Sequence, residues 1–201
     1  PAWNLTSTQS QAKSGQTPRR ENIMANDKFD LRGINHLALV CKDMKRTVDF
    51  YEGLLGMPLV KTINLPQDSG QHFFFDAGNG DALAFFWFPD APDSVPGVTH
   101  PANRLGRGSL ATAHASMNHV AFDVSADKID EYQQKLEAAG IEVTPVINHD
   151  ESEHQASRDI TDSTFVRSIY FTDPDGIMLE FAAWTRELDE RDVNVEPVSA
   201  G

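Results

Sequence analysis

The chain repeats itself. Ile34-Asn35-His36-Leu37-Ala38-Leu39-Val40 returns as Met117-Asn118-His119-Val120-Ala121-Phe122-Asp123-Val124, with the two histidines 83 positions apart. Both stretches alternate and are rich in β-formers, so both read as strands. An amphipathic helix follows each. The first spans 44–55, with Val48, Tyr51 and Leu55 on one face and Gly56 as its stop. The second spans 126–139, with Ile129, Tyr132 and Leu136 on one face and Gly140 as its stop. Three strands then follow in each half, at 57–63, 71–75 and 82–88, and at 141–147, 165–171 and 177–183. The turns Asn79-Gly80 and Asp175-Gly176 correspond, 96 positions apart, and both are strong hairpin signals. Each half is a βαβββ module with too little apolar surface to stand alone. Side by side the two predict one α+β, cup-shaped, eight-stranded unit.

The boundaries follow from composition. Module one covers 31–88, a linker 89–116 and module two 117–184, so the folding unit is 30–184 of the 201 residues. Residues 1–29 are polar and aperiodic and read as a disordered extension, with Met24 a candidate start. They lack the apolar stretch of a signal peptide, which leaves the Asn4-Leu5-Thr6 sequon unused. Residues 185–201 read as an acidic tail. Lys and Arg total 17 against 30 Asp and Glu, a net charge of −13. That balance argues against a nucleic-acid or anionic-membrane partner. No apolar run is long enough to cross a membrane. The single Cys41 cannot form an internal disulfide, which predicts a cytoplasmic protein.

Period two assigns the faces. His36 shares one with Ala38 and Val40, and His119 shares one with Ala121 and Asp123. Glu180 shares one with Met178 and Ala182, in the middle of an apolar strand. A carboxylate buried there needs a partner. Taken singly, each reads more readily as a satisfied core histidine or an ion-paired glutamate than as a ligand. The repeat changes the weighing, because His36 and His119 occupy one place in two copies. Two imidazoles and one carboxylate meeting in a central cleft make a metal site.

This layout resembles the vicinal oxygen chelate superfamily, which includes glyoxalases, extradiol ring-cleaving dioxygenases and bleomycin- and fosfomycin-resistance proteins. The matching segments are Gly33-x-Asn35-His36, Thr47-Val48-Asp49-Phe50-Tyr51 and Tyr170-Phe171-Thr172-Asp173-Pro174-Asp175-Gly176-x-x-x-Glu180. The resemblance implies a cup holding a divalent metal. Glyoxalase-like members offer four ligands, but the counterpart of Glu180 in module one is Ala84. The expected ligands are therefore His36, His119 and Glu180. A two-His, one-carboxylate set points to Fe(II), with Mn(II) or Zn(II) as substitutes.

The same hairpin leans toward the extradiol branch, with Tyr170 beside the metal. The resemblance then implies a catecholic or related small aromatic substrate cleaved with O2. The signature His expected before that Tyr is missing, since the stretch reads Thr161-Asp162-Ser163; His149 and His154 are loop substitutes. A second family histidine is expected upstream of His119, where His100 and His114 are the candidates and His100 is favoured by spacing. His72 maps onto Ser168, on the face of Tyr170, and is the candidate acid or base. Ala82, Ala84, Phe86 and Phe88, with Phe74 opposite, predict an apolar wall suited to a flat ring. Two alternatives stand beside the dioxygenase: an O2-independent lyase, isomerase or hydrolase, and a resistance protein that sequesters a small molecule. A homodimer or higher homo-oligomer is expected from the resemblance.

Overall fold

A computed structural model of the chain describes residues 28–29, 31–105 and 107–199. The expectations for the segment before residue 28, including Met24 and the Asn4 sequon, lie outside the described residues. The chain divides after Leu31 into two units, and the second carries every element named below.

The elements follow the repeat. Module one runs β1 (His36–Val40), α1 (Met44–Val48), β2 (Leu59–Asn64), β3 (Gln71–Gly78) and β4 (Asp81–Trp87). Module two runs β5 (Val120–Asp123), α2 (Ile129–Ala138), β6 (Ile147–His149), β7 (Val166–Thr172) and β8 (Met178–Trp184). The α+β reading with tandem modules holds, and the eight strands stand in two four-stranded sheets. Their orders are β1-β4-β3-β2 and β5-β8-β7-β6, the same permutation twice. Within each sheet β1 and β5 are parallel to β4 and β8, and the remaining pairs are antiparallel. The sequence offsets survive in the pairing. Ala38 lies opposite Ala84 in one sheet and Ala121 opposite Glu180 in the other.

Local chemistry explains where elements begin and fail. Asp43 caps α1 by accepting from Arg46 N at 3.1 Å. The predicted helix 44–55 then widens into a π-helical stretch, Asp49–Leu54, with Leu55 N donating to Phe50 O. The predicted strand 141–147 does not form as such: β6 shares only Ile147 with it and runs on to His149. Pro145 has no N–H for a ladder, and Thr144 Oγ1 accepts from Tyr170 N instead. His119 stands one residue ahead of β5 rather than inside it.

One face of each sheet packs inward. Leu37, Leu39, Phe75, Leu83 and Phe85 join Phe50 and Tyr51, while Phe122, Ile169, Phe171, Leu179 and Phe181 join Ile129, Tyr132 and Leu136. The other face of β1, carrying His36, Ala38 and Val40, is exposed. The modules are tied through the turn before β8. Tyr51 Oη donates to Asp173 Oδ2 at 3.2 Å, and Lys42 N donates to Asp175 Oδ2 at 3.0 Å. Gly176 in that turn has a φ of +89°, and a Cβ there would lie 2.9 Å from His100 Nε2. Gly176→Ala is expected to lose about 1–2 kcal/mol in denaturant unfolding, from the left-handed backbone conformation alone.

Beyond Trp184, where composition describes an acidic tail, Glu190–Asp192 form a 3-10 turn with a capping box from Asp189. Arg186 holds it by pairing with Asp192 at 2.6 Å and Glu151 at 3.0 Å.

Candidate metal centre

Module two gathers the polar groups. His119 Nε2 stands 3.0 Å from Glu180 Oε2, and Ser168 Oγ donates to Glu180 Oε1. Ser168 and Glu180 are both buried, while the His119 ring is 36% exposed, so the pair opens to one side. Burial pushes the Glu180 carboxyl up, but its polar contacts with His119, Ser168 and Tyr170 outweigh it and hold it below its ordinary range. Glu180 is therefore ionised at neutral pH.

The second ring nitrogen of His119 fixes what the first presents. Asn118 Nδ2 donates to Leu110 O at 2.7 Å, which turns the amide oxygen toward His119 Nδ1 at 2.9 Å. An amide oxygen only accepts, so Nδ1 carries a proton. A neutral ring then points the Nε2 lone pair at an ionised carboxylate. Two acceptors at 3.0 Å repel unless a proton or a cation lies between them. The donor set therefore fits a divalent cation.

Tyr170 is 8% exposed and follows Glu180 across the β7–β8 ladder. Its hydroxyl lies 3.1 Å from His149 Nε2. Burial, then the charge of Glu180, pushes the phenol well above its ordinary range, so it stays protonated. Of the loop histidines, His149, at the end of β6, is the one that meets Tyr170. Sequence spacing could name His149 only as a guess, because the contact depends on the pairing of Ile147 with Ser168.

His36 repeats the arrangement in module one, with Nδ1 2.8 Å from Asn35 Oδ1. However, no three His, Cys, Asp or Glu side chains gather within metal-holding reach among the described residues. Within one chain the fold brings His119 and Glu180 together and leaves His36 apart, contrary to the single-cleft convergence expected from the repeat.

Around His36 lies the apolar wall. Its ring is 5.6 Å from Phe74, which is 4.3 Å from the His72 ring. His72 stacks on Phe86 at 3.6 Å and 13°, and Phe86 on Phe88 at 5.3 Å and 9°. Burial, with the nearby His36, lowers the His72 pKa, and its Nε2 is buried without a hydrogen-bond partner among the described residues. His100 sits elsewhere, against Thr99 Oγ1 at 3.1 Å and over the Gly176 turn.

A family model, the Glyoxalase/Bleomycin resistance protein/Dioxygenase superfamily, matches residues 33–181. The chain belongs to this superfamily. FosB of Lysinibacillus sphaericus, a metallothiol transferase, is 28% identical over 155 residues, covering 77% of this chain and 84% of FosB. A candidate ring-cleaving dioxygenase, MhqE of Bacillus subtilis, is 26% identical over 110 residues, or 54% of this chain. The match spans only 32% of MhqE. A glyoxalase/dioxygenase from Nostoc punctiforme shares the fold with a TM-score of 0.52 at 20% identity, covering 81% of this chain and 98% of that one. No helix among the described residues is long and apolar enough to cross a membrane.

Proposed function

We propose that the chain is a divalent-metal enzyme, active as a dimer, that directs water or a thiol onto a small electrophile without O2. The observation that carries this reading is His119 Nε2 facing the ionised, buried Glu180 at 3.0 Å with its Nδ1 already engaged. Mn(II), Fe(II) and Zn(II) all suit two imidazoles and a carboxylate. A bound ion would supply Lewis acidity toward adjacent substrate oxygens. FosB supports the oxygen-independent choice, because the match covers most of its length, whereas that to MhqE covers a third.

The dimer supplies the missing donor. His36 stands on an exposed sheet face with the Asn35 amide oxygen on its Nδ1, and no third ligand joins His119 and Glu180 within the described part of one chain. A second copy that lays its module one over this module two brings both together. The wall of Phe74, Phe86 and Phe88 then covers the substrate's apolar body and excludes water. The protonated Tyr170 hydroxyl donates to a substrate oxygen, and His149 at 3.1 Å exchanges a proton with it. His72 lines the wall as a neutral imidazole.

Metal-loaded protein kept under argon should consume small electrophiles bearing adjacent oxygens when water or a thiol is present. Glu180→Gln should lower Mn(II) affinity by more than about 100-fold, above the usual cost of an outer-shell change. Ring cleavage is the second reading, favoured by the His149–Tyr170 contact. Inactivity under argon together with O2 uptake on catechols would reverse the choice.

A further inference from the structure

We infer that Asn118 is a positioning residue that sets the tautomer of the His119 ligand, a reading that rests on the proposed metal site. Glu180 and Asn118 make opposite demands on one imidazole. A carboxylate 3.0 Å from Nε2 draws a proton onto that nitrogen, where it blocks coordination. The Asn118 amide oxygen, 2.9 Å from Nδ1, draws the proton onto the other side and leaves the Nε2 lone pair for a metal. A neutral ring has one proton to give, so the stronger hold decides whether the ligand is ready.

The linker main chain decides for Asn118. An amide free to rotate could offer its NH2 to Nδ1 and select the wrong tautomer. Donation from Nδ2 to Leu110 O at 2.7 Å forbids that rotation. The linker, residues 89–116, is itself pinned to module two through Arg104 and Arg107 on Glu142, at 2.6 and 3.3 Å. In module one, Asn35 makes the same contact with His36, but its NH2 has no such carbonyl among the described residues. The lock is therefore built at the histidine that faces the carboxylate, where the competition exists.

Two variants separate positioning from packing. Asn118→Ala removes the acceptor for Nδ1 and the donor to Leu110. Asn118→Asp replaces the donor to Leu110 with a charged oxygen and keeps an oxygen for Nδ1–H. In metal-free protein at alkaline pH, 15N NMR of the His119 ring should report Nδ1–H in wild type and Asn118→Asp, and Nε2–H in Asn118→Ala. Mn(II) affinity by calorimetry should fall about 10–100-fold in Asn118→Ala, the range for lost outer-shell partners, with Asn118→Asp close to wild type. Nδ1–H persisting in Asn118→Ala overturns the inference, as does Asn118→Asp falling as far as Ala. A wild type that binds none of Mn(II), Zn(II) or Fe(II) overturns the metal reading, and the ring tautomer in metal-free protein then decides the inference by itself.

Discussion

Mixed in equal amounts and allowed to exchange subunits, His36→Ala and Glu180→Gln proteins should recover about a quarter of the wild-type metal sites, although neither variant binds metal well alone. The expectation follows from which chain supplies which ligand. In a site shared between copies, one heterodimer site carries both lesions and the other carries neither. Random exchange makes about half of the dimers mixed, and each has one intact site of two. If all three ligands came from one chain, every site in the mixture would carry a lesion and nothing would return. Metal content of the re-associated dimer, by equilibrium dialysis, reads the outcome without needing a substrate. A protein that stays monomeric at assay concentration would remove the basis of the shared site.

The contrast between His36 and Glu180 also shows what the sequence could and could not disclose. Period two and the 83- and 96-residue offsets place side chains on faces, and those placements hold. Ala84 and Glu180 occupy equivalent rungs, opposite Ala38 and Ala121, as the repeat requires. Leu37 and Leu39 turn inward while His36 and Ala38 turn outward. Periodicity fixes a face of a sheet and carries no term for how two sheets are placed. The separation of His36 from the other two residues was for that reason invisible. The contact of His149 with Tyr170 was hidden for a related reason. It spans 21 positions and depends on a three-residue strand that starts only after Pro145. Asn118 was in plain view inside the repeat, and only the Leu110 carbonyl gives its amide a direction.

The turn before β8 carries the second large effect, and it runs against intuition: Asp173→Asn should stabilise the protein at neutral pH. Asp173 is 6% exposed. Its Oδ1 accepts from Asp175 N at 2.9 Å and Ile177 N at 2.8 Å, and its Oδ2 accepts from Tyr51 Oη at 3.2 Å. Burial pushes the carboxyl up to about 6, and the Asp175 charge adds to the push, against the pull of the two backbone donors and Tyr51. The unfolded chain ionises near the ordinary value of about 3.9. The folded state therefore holds this proton more tightly. Its contribution is complete below about pH 4 and drains away as pH rises through about 6, by roughly 3 kcal/mol in all. Asparagine keeps an oxygen for Asp175 N and Ile177 N, offers an NH2 to the Tyr51 oxygen, and never ionises. The stability difference between Asp173→Asn and wild type should be near zero at pH 4. By pH 7 it should reach about 1–2 kcal/mol in favour of the variant, part of the full term being lost to imperfect geometry. Paired denaturant titrations across that range cancel the other carboxylates, which both proteins share. A difference that stays flat from pH 4 to 7 would mean that Asp173 is ionised in the fold at little cost. Mn(II) affinity should not change in this variant, since Asp173 holds the turn and touches neither His119 nor Glu180. That independence separates a buried charge that destabilises the fold from the buried charge, seven residues on, that the metal site requires.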